Sequence, residues 1–203
     1  MADEIKSRIK HNILIIDDDK DVCSVLMKSL KSFGYNTSYS LTGKDGITAL
    51  KNKDHDVVLL DLILPDINGK EVLTQIRRFN KDIMVIILTA YATVESAIET
   101  LKDSRACDYI QKPFNIEELH LVIEKAIRSK ELNKQLMKIP DLGQKVKHLR
   151  RAKSLSLDAL AKNTQLSKGF LSEMERGRKH PRLDTLQNIA TALGVNLYFF
   201  LNK

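Results

Sequence analysis

The chain has 203 residues, 43% of them hydrophobic, and a formal net charge of +7, enough apolar material for one large or two small cores. No apolar run approaches the roughly 20 residues needed to cross a bilayer, which excludes a helical membrane-spanning class. The charge is uneven: residues 1–120 carry sixteen basic against nineteen acidic side chains, residues 121–140 five against two, and residues 141–203 twelve against five.

The start, Met1-Ala2-Asp3-Glu4-Ile5-Lys6, has the wrong charge order for a signal peptide, so a cytoplasmic protein is expected. Short apolar runs follow at about 13–16, 35–39, 57–60, 83–88 and 107–110. They alternate with helix-like segments at about 20–33, 43–52, 69–79, 92–103 and from 116 onward. Strict alternation predicts five parallel strands covered on both faces. Gly34 ends the first helix, and Asn115 with Glu118 reads as a capping box that starts the fifth. That helix is expected to run to Met137, where Ile139-Pro140 stops it. Its apolar positions Leu119, Ile123, Ala126, Leu132 and Leu136 hold no single heptad register, which argues against a continuous coiled coil. Cys23 and Cys107 have neither CxxC spacing nor a secreted context and are expected to be reduced core residues.

After Pro140 the period is purely helical. Asp141 and Gln144 form an expected capping box ahead of Leu142, Val146 and Leu149. Four shorter helices are predicted at about 157–163, 167–176, 183–193 and 196–201.

Within the first half, the strand ends carry the chemistry. The strand Val57 to Leu60 runs into Asp61, and Ile13 to Ile16 runs into Asp17-Asp18-Asp19; the fourth strand ends in Thr89 and the fifth just before Lys112. Asp after a strand is also a common turn starter. Carboxyl ends of parallel strands are nevertheless where open α/β sheets keep their sites, and here they deliver carboxylates, a hydroxyl and an ammonium to one edge. Crowded carboxylates repel, and a hard divalent cation relieves that repulsion.

In Asp17-Asp18, the Asp61-x-x-x-Pro65-x-x-x-Gly69 pattern, Thr89-Ala90, Tyr109 and Lys112-Pro113-Phe114, residues 11 to about 128 resemble the receiver domain of bacterial response regulators. The resemblance implies a flavodoxin-like fold with Asp61 as phosphoacceptor from a sensor histidine kinase. It implies Mg²⁺ held by Asp18, Asp61 and the backbone carbonyl of Ile63, with Asp17 acting through water. Lys112 would supply fixed positive charge, Thr89 a hydrogen bond to the new phosphoryl group, and Tyr109 a rotating switch. Ile63 and Tyr91 would border the phosphoryl group and shield it from water. Arg105-Ala106 departs from the Gly-Ala common in the family before the fifth strand.

The tail resembles the helix-turn-helix of the phage Cro and repressor class over about residues 142 to 201. The resemblance rests on the string Leu157 to Gly177, in which Leu160, Ala161, Leu166, Leu171 and Met174 are spaced to pack two short helices across a tight turn. Gln165 stands where the family usually has glycine at positive φ, so strain is expected there. Such a motif lays its second helix in the major groove. Ser167, Lys168, Ser172 and Glu173 are the candidate base readers, and Arg176, Arg178, Lys179 and Arg182 the candidate phosphate contacts. A solvated basic loop is the other reading of Arg178-Lys179-His180.

The expected organisation is a receiver domain over residues 1–128, a helical linker over 129–140 and an all-α DNA-binding domain over 141–203. The expected function is a phosphorylation-controlled, DNA-binding transcription regulator that acts as a homodimer on double-stranded DNA. The alternative is a phosphorylation-gated interaction module whose tail binds a protein. An enzyme reading, with Asp61 as a phosphatase nucleophile, is disfavoured because haloacid-dehalogenase-type enzymes place a second Asp two residues on, where this chain has Ile63.

Overall fold

A computed structural model describes residues 11–90 and 108–201. The expected helix at 92–103, together with Tyr91, Arg105-Ala106 and Cys107, lies outside the described residues. The chain divides into two compact units, residues 1–130 and 131–203.

In the first unit, β1 (Asn12–Ile16), β2 (Asn36–Ser40), β3 (Val57–Asp61), β4 (Met84–Thr89) and β5 (Asp108–Gln111) form one sheet in the order β2-β1-β3-β4-β5. Every pairing is parallel. The strand β3 is buried along its whole length, as a central strand covered on both faces must be. Alternate residues serve opposite faces. Ile13, Ile15, Val57 and Leu59 pack with α1 (Lys20–Ser32) and with Leu119 and Ile123 of α4 (Ile116–Leu136). Leu14, Ile16, Val58 and Leu60 pack with α2 (Gly43–Asn52) and α3 (Gly69–Phe79).

Helix ends follow the sequence signals. Asp19 caps α1 by accepting the N–H groups of Asp21 and Val22. Gly34, at φ 91°, closes it: its N–H donates to the Lys31 carbonyl while the Tyr35 N–H reaches Leu30, the Schellman arrangement. Asn115 accepts the Glu117 N–H at 2.7 Å and so caps α4 by its own side chain, without the reciprocal Glu118 bond of the expected capping box. Cys23 is buried and free; burial and the neighbouring carboxylates of Asp17 and Asp19 push its thiol up to about 11, which keeps it protonated.

The second unit packs α5 (Leu142–Ala152), α6 (Leu157–Thr164), α7 (Lys168–Glu175), α8 (Leu183–Ala192) and α9 (Tyr198–Leu201) around Val146, Leu160, Leu171, Met174, Leu186 and Ile189. Leu136, at the end of α4, belongs to this core, while Leu119, Ile123 and Ala126 of the same helix belong to the first. That division is why its apolar positions hold no single heptad register. One expectation fails. Asp141 has left-handed backbone (φ 59°) and makes no side-chain cap bond, because an N-cap needs extended dihedrals to aim its oxygen at the first turn. Gln144 donates instead to the Glu175 carbonyl at 3.2 Å, an orphan acceptor at the end of α7. Among the described residues no helix is long and apolar enough to cross a membrane.

Candidate functional site

The adjacency of β1 and β3 brings Asp17 and Asp61 side by side at the carboxyl edge of the sheet. Asp17 is fully buried, Asp61 is 8% exposed, and Asp18 faces solvent. One carboxylate oxygen from each of the three lies within 4.8 Å of the others. Lys112, one residue past β5, donates from Nζ to Asp17 Oδ2 and to Asp61 Oδ2, both at 2.6 Å. Its backbone N–H donates to the Thr89 carbonyl at 2.7 Å, so the ends of β4 and β5 are tied together beneath it. Burial works against the Lys112 charge, but the bonds to the two carboxylates outweigh that and hold its pKa above the ordinary lysine value. Burial likewise pushes the Asp17 carboxyl up, against the opposing pull of Lys112.

The remaining oxygens have fixed partners too. Asp17 Oδ1 accepts the Asp19 N–H at 3.0 Å, and Asp61 Oδ1 accepts the Ile63 N–H at 2.9 Å. Gly69 shows why the segment after Asp61 needs glycine: a Cβ there would sit 2.4 Å from the Asp61 carbonyl oxygen. Thr89 is buried at the same edge. Tyr109 is half-buried against the core on the α2 and α3 face, and the Ile63 side chain is 57% exposed at the rim. The structure thus gathers Asp17, Asp18, Asp61, Thr89 and Lys112 at one edge. All donors in the carboxylate set are hard oxygens, which suits a divalent cation of the Mg²⁺ type.

In the second unit, Ser156 and Ser167 cap α6 and α7 by accepting the N–H groups of Ala159 and Phe170. Gln165 takes φ 55° in the turn between them. Leu160, Leu171 and Met174 are buried, with Ala161 and Leu166 packed against them. That leaves Lys168, Gly169 and Arg176 exposed and Ser172 and Glu173 half-exposed on the other side of α7. The candidate readers are not idle: Lys168 Nζ pairs with Asp158 at 2.8 Å, and Glu173 pairs with Arg176 at 3.5 Å and Arg178 at 3.6 Å. Ser167 spends an oxygen lone pair on its cap, and its hydroxyl hydrogen remains a donor. Arg178, Lys179 and Arg182 are exposed.

Sequence reading missed one buried feature here. Arg150 donates from Nε and a terminal nitrogen to the two oxygens of Glu175, at 2.6 and 2.8 Å, and also to the Leu155 carbonyl. The available signal was that both residues fall on the buried faces of their helices.

A family model for the response regulator receiver domain matches residues 13–124, more than half of the chain. The chain belongs to the response regulator receiver family. A second model, for a helix-turn-helix domain, matches residues 141–197. The receiver match takes in every carboxyl-edge residue named above, and the helix-turn-helix match takes in all eight candidate DNA contacts. The transcriptional regulatory protein ZraR of Salmonella typhimurium is 36% identical over 120 residues, 59% of this chain and 27% of that protein. The transcriptional regulatory protein QseB of Haemophilus influenzae is 38% identical over 116 residues, 57% of this chain and 52% of that protein. The chain therefore spans between about a quarter and about half of these relatives. Among solved structures, a CheY-like response regulator receiver domain protein from Methanospirillum hungatei superposes with a TM-score of 0.57 at 28% identity. That likeness covers 60% of this chain and 97% of the other, so it is the receiver unit that is shared.

Proposed function

We propose that this response regulator is phosphorylated on Asp61 by a sensor histidine kinase and acts in the cytoplasm as a sequence-specific, DNA-binding transcription regulator. The observation that supports it most is the convergence of Asp17, Asp18, Asp61 and Lys112 at one sheet edge, in a chain whose other unit is a helix-turn-helix. Asp18, Asp61 and the Ile63 carbonyl would hold Mg²⁺, with Asp17 acting through water. Bound there, the ion would offset the negative charge of the carboxylates and of an incoming phosphoryl group. Asp61 is the nucleophile. Lys112, already shared between Asp17 and Asp61, contributes fixed positive charge where phosphoryl oxygens arrive. Thr89 would donate its hydroxyl to the phosphoryl group, and Tyr109 would follow the resulting shift of the β4 end.

On the DNA side, Ser167, Lys168, Ser172 and Glu173 would meet base edges from α7, while Arg176, Arg178, Lys179 and Arg182 hold phosphates. A homodimer would extend the short site that one such helix can read.

The test has two arms. Acetyl phosphate with Mg²⁺ should label the wild-type chain, and Asp61→Asn should take no label. Selection from random duplex DNA, with labelled and unlabelled protein, should return a defined site. Stoichiometric label on Asp61→Asn would remove the phosphoacceptor reading. Uniformly weak binding to every duplex at low salt would favour a tail that binds protein.

A further inference from the structure

Asp66 stands five residues beyond Asp61, in the segment 62–68 that joins β3 to α3. Both its carboxylate oxygens are spent on a different element: Oδ1 accepts the Gly43 N–H at 2.8 Å and Oδ2 accepts the Lys44 N–H at 2.9 Å. These N–H groups belong to the first turn of α2, which has no acceptors of its own for them. The helix does not depend on Asp66 alone for its cap, since Thr42 already accepts the Asp45 N–H at 3.1 Å. The first turn of α2 also lies hard against the segment, because a Cβ on Gly43 would come within 2.6 Å of Ile67.

One further contact of the segment leads to the phosphoacceptor. Its Leu62 carbonyl accepts the Gly69 N–H at 3.0 Å, and its Ile63 N–H donates to Asp61 Oδ1 at 2.9 Å. Asp61 Oδ2 is held by Lys112. One oxygen of Asp61 is therefore oriented by the backbone of a segment that Asp66 ties to α2.

Resting on the reading of Asp61 as phosphoacceptor, we infer that Asp66 is a positioning residue for that site. By anchoring segment 62–68 to the first turn of α2, it fixes the Ile63 peptide, and through the Ile63 N–H the orientation of the Asp61 carboxylate. Partners bonded directly to a metal ligand commonly alter metal affinity by about 10- to 100-fold when removed; Asp66 acts one bond further out, through the segment that carries the Ile63 N–H, so its effect belongs at the lower end.

The experiment titrates the full chain with Mg²⁺, following the amide NMR signals of Ile63 and Gly69, and measures the rate of labelling by acetyl phosphate. Asp66→Ala should weaken Mg²⁺ binding by about tenfold and slow labelling by a similar factor. Asp66→Asn, which keeps one acceptor oxygen, should fall between, and it decides the question should Asp66→Ala fail to fold. Thr42→Ala removes the other cap of α2 without touching the segment, and should keep wild-type Mg²⁺ affinity and labelling rate. Wild-type affinity and rate in the Asp66 variants, or an equal loss in Thr42→Ala, would overturn the inference, as would a wild-type chain that binds no Mg²⁺. A wild-type chain that binds Mg²⁺ yet takes no label defeats the phosphoacceptor reading alone, and the Mg²⁺ titrations still decide on Asp66.

Discussion

Arg150 and Glu175 are 9% and 5% exposed and bound to each other through two hydrogen bonds. The bond to Glu175 is the chief reason that the guanidinium pKa is raised further. Removing one partner of a buried pair leaves an uncompensated charge, at a cost of about 3–5 kcal/mol. Glu175→Ala should therefore destabilise the second unit by about that amount, read as lost amide protection in α5 and α7. A loss under about 1 kcal/mol would mean that water reaches the guanidinium. Gln165 offers the opposite case. At φ 55° a non-glycine residue loses about 1–2 kcal/mol, while glycine gives back about 0.4–1 kcal/mol through the unfolded chain. Gln165→Gly should then raise α6 and α7 protection by up to about 1 kcal/mol. A fall in protection would show that the Gln165 side chain itself holds the turn.

At the scale of the element, α7 is divided by its 3.6-residue period into a buried stripe of Leu171 and Met174 and an outer face that starts at Lys168. The ion pair between Lys168 and Asp158 is exposed, at 60% and 68%, so breaking it to reach a base costs under about 1 kcal/mol. Lys168→Ala should cost about 1–3 kcal/mol on a selected site and little on nonspecific duplex. Arg178→Ala should weaken both and flatten the dependence of affinity on salt. Gel-shift titrations at several salt concentrations separate the two, and equal losses on all duplexes for Lys168→Ala would reduce it to a phosphate contact. Gly169 adds no side chain, and a Cβ there would meet nothing within 4 Å. That open position lets the backbone of α7 come close to a ligand surface.

For the whole molecule, the relevant fact is that α4 runs unbroken from Ile116 to Leu136 while its residues are shared between two cores. No Gly- or Ser-rich stretch interrupts it. The proposed function requires that a change at Asp61 reach the helix-turn-helix. Phosphorylation of Asp61 should accordingly change the affinity for a selected DNA site, upward, by about 1–3 kcal/mol, through the dimer equilibrium or its geometry. Operator titrations and sedimentation mass, with and without beryllofluoride as phosphoryl mimic, measure both quantities. If neither moves while Asp61 is fully occupied, the receiver does not govern the helix-turn-helix in this way.

Much of this protein is legible in its sequence because the signals are local. Short continuous apolar runs and period-3.6 runs alternate, so the strands fall within about one residue of their expected positions and the parallel sheet follows. Gly34 and Asn115 mark helix ends through bonds to neighbours within a few residues. Asp17, Asp18, Asp61, Thr89 and Lys112 could be proposed together because each lies at the carboxyl end of a strand or within two residues past it. What no local signal contains is which distant groups meet. Lys112 reaches Asp17 across 95 residues and Asp61 across 51, and that depends on the strand order placing β1 beside β3. Arg150 finds Glu175 across 25 residues, and Asp66 finds the start of α2 across 23, through helix and loop packing that periodicity does not encode. The capping box at Asp141 failed for the same reason: the backbone turn delivering the chain into α5 and the Glu175 carbonyl that takes the Gln144 side chain are tertiary facts, and they outweighed the local pattern.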